Sequence, residues 1–123
     1  MGKKILLIDD EPDFTELTGS LLSFHDFTVE TVNDPARAEP ALAAATGFDL
    51  VVTDIMMPNL NGIDLIKRLR ARPEYAKIPI IALTAKNLSD EERKVLLNNH
   101  VELLTKPFEP RGLIDRIVNL LTA

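Results

Sequence analysis

The stretch VVTDIMMPNLNG, residues 51–62, decides how this chain is read. The apolar run Leu50–Thr53 has the look of a short strand. It ends on a carboxylate, Asp54, followed by two methionines, a proline and a turn. Taken alone, Asp54 suits a helix cap or a solvated loop end equally well. Its meaning depends on what the other strands deliver beside it.

Four more short apolar runs flank this one: Lys4–Ile8, Thr28–Val32, Ile78–Leu83 and Val101–Thr105. Two contain nearly unbroken apolar sequence, ILLI at 5–8 and IPIIAL at 78–83, as expected of strands buried on both faces of a parallel sheet. The alternating FTVETV at 27–32 fits an edge strand instead.

Between the runs the apolar period becomes helical. Phe14, Leu17, Leu21 and Leu22 share one face of a first helix, with Pro12 in its first turn and Asp10 or Asp13 as its cap. Asp34-Pro35 opens a second, alanine-rich helix through Ala38, Ala41, Leu42 and Ala45, disturbed by Pro40 and stopped by Gly47. Ile63, Ile66 and Leu69 mark a third, ending before Pro73. Ser89 and Glu92 stand at capping-box spacing ahead of a fourth that carries Val95 and Leu96. Pro110 leads into a fifth with Leu113, Ile114, Ile117, Val118 and Leu121. A βα unit repeated five times with short connections predicts one α/β domain over residues 1–123. Its architecture is a (βα)5 doubly wound, parallel five-stranded sheet with helices on both faces, a three-layer sandwich.

Composition narrows the function. The 123 residues suit a single domain, and the lack of cysteine excludes disulfides, thiolate metal sites and a cysteine nucleophile. The two histidines, His25 and His100, form no ligand pattern. A net charge of −5 argues against direct nucleic-acid binding, which needs clustered Lys and Arg. No apolar run approaches a membrane span. The start MGKKILLIDD lacks a signal-peptide cleavage site, and Leu6 stands where N-myristoylation at Gly2 would want Ser or Thr. A bare cytoplasmic domain is the expectation.

In an open parallel sheet, ligands bind beyond the carboxyl ends of the strands, where strand order reverses. Strand one ends in Asp9-Asp10-Glu11, strand three in Asp54, strand four in Thr84-Ala85-Lys86, strand five in Thr105-Lys106-Pro107 and strand two in Asn33-Asp34. Each is ordinary by itself, as capping acid, strand threonine or solvated lysine. Together they converge on one edge. Three carboxylates meeting there repel one another unless a cation balances them, and the candidates are Lys106 and a bound metal. All-oxygen ligation by few carboxylates suits Mg²⁺ better than Ca²⁺. A carboxylate can also attack phosphorus to give an aspartyl phosphate. Asp54 is then the nucleophile. Asp9 and Asp10 would hold Mg²⁺ together with a backbone carbonyl just after Asp54. Lys106 would pair with phosphoryl oxygens, and Thr84 would donate its hydroxyl to another.

Four motifs now stand in order along the whole chain: LLIDDEP at 6–12, D-x-x-M-P-x-x-x-G from Asp54 to Gly62, LTA at 83–85 and KPF at 106–108. With them the sequence resembles a response-regulator receiver domain, the CheY-like phosphoacceptor domain of two-component signalling. The resemblance implies the flavodoxin/CheY-like strand order 2-1-3-4-5. It implies Mg²⁺ at Asp10, Asp54 and the Met56 carbonyl, with Asp9 acting mainly through water. It implies phosphoryl transfer onto Asp54 from a histidine kinase or His-phosphotransfer protein, a phosphoryl-sensing Thr84 and a phosphoryl-pairing Lys106. The output would pass through the fourth helix, fifth strand and fifth helix, where Arg93, Lys94 and Arg116 belong, to a downstream protein target. The protein would act as a monomer or a phosphorylation-dependent dimer. Beyond self-phosphorylation from small donors and slow autodephosphorylation, no enzymatic activity is implied.

The chain departs from the family pattern at Leu103, where Tyr or Phe commonly serves as a rotameric switch, and at Asn99-His100, where Gly-Ala is frequent. In the family that the chain resembles, the positions of Met56 and Lys86 are similar to tuners of aspartyl-phosphate lifetime, and Met56 is expected to shield the acyl phosphate from water. Two other functions remain open. One is a pseudo-receiver that binds partners without being phosphorylated. The other is a haloacid-dehalogenase-like phosphatase, although that family wants a second Asp at position 56 and a longer chain.

Overall fold

The computed structural model describes residues 3–34, 37, 40, 47–57, 60–84, 88–105 and 109–122. Its main elements are β1 (Lys4–Ile8), α1 (Pro12–Phe24), β2 (Thr28–Val32), β3 (Leu50–Asp54), α2 (Gly62–Ala71), β4 (Ile80–Thr84), α3 (Asp90–Asn98), β5 (Val101–Thr105) and α4 (Pro110–Thr122). The five strands form one parallel sheet in the order β2-β1-β3-β4-β5, so the second strand is an edge. The helix expected over 35–46 lies outside the described residues, apart from Arg37 and Pro40.

The unbroken apolar runs are explained by two separate cores. Along β1, Leu6 and Ile8 face the side covered by Leu65, Ile66 and Leu69 of α2 and Leu96 of α3. Ile5 and Leu7 face the other side, against Leu22 of α1 and Leu113, Ile114 and Ile117 of α4. Successive strand side chains point to opposite faces, so a strand covered on both sides must be apolar at every position. All five residues of β3 and of β4 are buried on this principle.

Local differences from the sequence reading have physical causes. The fourth strand begins at Ile80 rather than Ile78, because Pro79 has no amide hydrogen to donate to the ladder; its carbonyl accepts from Val51 N (3.1 Å). α1 buries Thr15, Thr18, Gly19 and Leu22, while Leu17 is 57% exposed. The helix lies close to β2, so small side chains take its inward face: a β-carbon on Gly19 would stand 3.6 Å from Thr31 Cγ2. Neither Asp10 nor Asp13 caps α1. Glu11 is the N-cap and makes no side-chain cap bond, while Asp9 Oδ1 accepts from the Glu11 amide at 2.9 Å. At α3 the expected capping box is present: Ser89 Oγ accepts from Glu92 N (3.1 Å) and Glu92 Oε1 from Ser89 N (3.0 Å).

Two features had no counterpart in the sequence reading. Beyond β3, Met56–Met57 pair antiparallel with Leu60–Asn61 before Gly62 opens α2, where only a turn was expected. At the opposite edge of the sheet, the half-buried Arg70 donates to four backbone carbonyls: Tyr75 (2.9 Å), Ile78 (2.6 Å), Asn99 (2.8 Å) and His100 (3.2 Å). His100 turns the chain into β5 at φ +56°, and Asn99 Nδ2 donates to the Val95 carbonyl (2.7 Å). Asn99-His100 is therefore built into a specific turn. Leu103 is half-buried against the core beside α2 and α3, an apolar packing role.

Candidate functional site

Parallel pairing brings the critical residues to one edge. β1 pairs with β3 so that Ile8 lies beside Thr53, and the next residues along these strands are Asp9 and Asp54. Strand order reverses between these two strands, which opens a crevice at their carboxyl ends. Asp9, Asp10 and Asp54 each present a carboxylate oxygen there, all within 4.8 Å of one another. Asp9 is fully buried, Asp54 is 5% exposed and Asp10 is partly open to solvent.

Each acid is held by its surroundings. Asp9 N donates to the Val32 carbonyl (3.1 Å), and the Asp9 carbonyl accepts from Asn33 Nδ2 (2.9 Å). Its side chain is oriented by the Glu11 amide. Asp54 sits at the last position of the central strand, where its carbonyl accepts from the buried Thr53 hydroxyl (3.0 Å). Ile55 N donates to the Leu83 carbonyl (3.1 Å) and so pins the chain just after Asp54. Among the described residues, no buried side-chain polar atom lacks a hydrogen-bond partner.

Thr84 closes β4 one step beyond the Asp54–Leu83 pair and is 3% exposed. It lies beside Thr105, which closes β5 and precedes the next residue in the sequence. That residue, Lys106, lies outside the described residues, as do Lys86 and the Met56 side chain. The backbone of Met56 lies two residues past Asp54, in the short antiparallel ladder.

Three carboxylates at this spacing repel by about 3–4 kcal/mol per pair at an effective dielectric of about 20. A multivalent cation would relieve that repulsion. The donor set is entirely carboxylate oxygen, with no His or Cys near it among the described residues, and this suits a hard divalent ion. The cluster can therefore hold a metal.

Asn33, Thr15 and Thr53 are supports that the sequence reading did not single out. Asn33 reaches Asp9 and Thr15 across 24 and 18 residues of sequence, and no spacing rule marks such tertiary partners. The only available signal was an amide side chain at the carboxyl end of the second strand.

Comparison with known proteins agrees with this geometry. Residues 5–118 match the family model of the response regulator receiver domain. The chain is 37% identical over 118 residues to the transcriptional regulatory protein CpxR homolog of Haemophilus influenzae, covering 96% of this chain and 50% of that protein. It is 34% identical over 118 residues to hybrid signal transduction histidine kinase D of Dictyostelium discoideum, covering 96% of this chain and 8% of that protein. The chain thus spans half the length of the first relative and a small part of the second. Among solved structures, the chemotaxis protein CheY4 of Vibrio cholerae superposes with a TM-score of 0.87 at 27% identity, covering 98% of this chain and all of the other. With the order β2-β1-β3-β4-β5 and an acid cluster at the switch point, the chain belongs to the response regulator receiver domain family, the phosphorylation-controlled switches of two-component signalling.

Proposed function

We propose that residues 1–123 form one receiver that accepts a phosphoryl group on Asp54. The observation that carries this reading is the meeting of Asp54, at the end of the central strand, with Asp9 and Asp10 inside 4.8 Å. Bound between them, Mg²⁺ would neutralise the carboxylates and the incoming phosphoryl oxygens. Asp10, Asp54 and the Met56 carbonyl would hold it, with Asp9 supporting from beside them.

An Asp54 Oδ attacks phosphorus, a new O–P bond forms, and the bond from phosphorus to the donor breaks with its electron pair leaving on the donor. The donor is a phosphohistidine of a sensor kinase or His-phosphotransfer protein, or a small acyl phosphate. Asp54 closes a central strand that is buried along its length, which keeps the attacking oxygen in place. Thr84, buried on the neighbouring strand, then gives its hydroxyl hydrogen to a phosphoryl oxygen. Lys106, next in sequence after β5, pairs with another. A new charge of roughly −2 at the edge biases the surface of α3, β5 and α4 toward a form that a protein target recognises. On that surface Arg116 Nη1 already pairs with Glu102 Oε1 (3.0 Å) between α4 and β5. With Leu103 in the core, activation proceeds without an aromatic flip at that position. The protein works in the cytoplasm, as a monomer or a phosphorylation-dependent dimer.

The test is incubation with acetyl phosphate and Mg²⁺ followed by intact mass, alongside Asp54→Asn. One labile phosphoryl adduct that is absent from the variant is expected. No adduct on the wild-type protein favours a non-phosphorylated pseudo-receiver. Continuous turnover of phosphomonoesters favours a phosphatase.

A further inference from the structure

The acid cluster needs a scaffold, because three mutually repelling carboxylates drift apart unless their backbone is held. Two of them belong to one loop, Asp9-Asp10-Glu11, between β1 and α1. Among the described residues, the side chain of Asn33 ties this loop down from outside. The Asn33 amide donates one hydrogen to the Asp9 carbonyl (2.9 Å) and the other to Thr15 Oγ1 (2.7 Å). A carbonyl can only accept, so the NH₂ rather than the oxygen of Asn33 must face Asp9. The Thr15 hydroxyl, buried on the inner face of α1, passes its own hydrogen to the Pro12 carbonyl (3.1 Å). A continuous chain of bonds thus runs from the Asp9 carbonyl, through Asn33 just after β2 and then Thr15, to the first turn of α1.

From this we propose that Asn33, with Thr15 as its relay, is a positioning residue for divalent-ion binding: it fixes the backbone on which the Asp9 and Asp10 carboxylates stand. The inference rests on the metal-assisted phosphoacceptor reading above. Asn33 touches neither ion nor phosphoryl group. Its effect passes through the loop, so its loss weakens ion binding while chemistry at saturating ion persists. Supports of this kind typically change metal affinity by about 10–100-fold, and the lower end applies to a support acting through backbone.

The experiment measures Mg²⁺ affinity of the unphosphorylated protein by titration calorimetry, together with the rate of phosphorylation by acetyl phosphate at saturating Mg²⁺. The proteins are wild type, Asn33→Ala, Thr15→Val, Thr15→Ser and the Asn33→Ala/Thr15→Val double variant. Asn33→Ala and Thr15→Val should each weaken Mg²⁺ binding about tenfold, and the saturated rate should stay within about twofold of wild type. Thr15→Ser, which keeps the hydroxyl, should restore wild-type affinity. The double variant should lose little more than either single change, since both break one chain. Unchanged Mg²⁺ affinity in Asn33→Ala, or a lower melting temperature with affinity intact, overturns the inference and leaves the phosphoacceptor reading standing. A wild-type protein that binds no Mg²⁺ overturns both.

Discussion

Replacing Arg70 by alanine isolates a stability effect from the chemistry at the other edge of the sheet. Its guanidinium donates to the carbonyls of Tyr75, Ile78, Asn99 and His100, joining the end of α2 to the turns that feed β4 and β5. Burial lowers its pKa from the ordinary arginine value, as expected for a cation partly removed from water. Hydrogen bonds to a charged donor are worth about 1.5–3 kcal/mol each. Four such bonds give an upper bound near 12 kcal/mol. The bond to His100 is exposed and the other three are only partly buried, so water replaces much of what is lost. A net loss of about 2–4 kcal/mol is expected. With a urea m-value of about 2 kcal/mol/M, the midpoint falls by about 1–2 M. Arg70→Lys, whose single ammonium cannot span four carbonyls, should recover less than half of that loss. Strands of five residues place the acid cluster about 16 Å away. Mg²⁺ affinity and phosphorylation of the folded variant should therefore match wild type. An alanine variant within about 0.5 kcal/mol of wild type would refute the staple.

Other perturbations test other links. Asp10→Asn removes one of three mutually repelling charges and should stabilise the metal-free protein, by well under the unscreened pair repulsion because Asp10 is partly open to solvent. Mg²⁺ at ten times its Kd should stabilise wild type by about 1.4 kcal/mol and the variant by much less, as read by thermal melting with and without the ion. Ser89→Ala removes the cap of α3 and should cost about 1 kcal/mol in urea unfolding. The Glu92 carboxyl is held below its usual range by the Ser89 backbone amide, then by the Ser89 hydroxyl. The wild-type advantage over Glu92→Ala should thus be full at neutral pH and be lost as pH falls through that depressed value. Gly47 and Gly112 should respond with opposite signs to the same change, since neither has a neighbour within 4 Å of an added β-carbon. Gly47 sits at φ +76°, so its alanine variant should lose about 1–2 kcal/mol. Gly112, inside α4, should gain about 0.5–1 kcal/mol on becoming alanine.

The parts of this protein legible in one dimension are those with local causes. The inner strands announced themselves because burial on both faces forces apolar residues at successive positions, the edge strand β2 showed by its alternation, and β1, β2 and β5 have the predicted limits. The Ser89–Glu92 box was visible because both bonds close over three residues. The acids and Thr84 were found because strand ends in a parallel sheet share an edge. α1 was read less well. Leu17 counted as inward on period alone, yet the close approach to β2 gives that face to Thr15, Thr18 and Gly19. The expected cap at Asp10 or Asp13 failed because Asp9 binds the Glu11 amide from the loop before the helix.

By itself the sequence determined that Asp9, Asp10, Asp54 and Thr84 would leave parallel strands at one edge, because element order and strand ends are local properties. Tertiary structure alone decided what holds them there. The Asn33–Asp9–Thr15 ties and the four-carbonyl grasp of Arg70 join residues that only the packed sheet brings together. Such bonds depend on distance in space, and a chain read in order carries no measure of that distance.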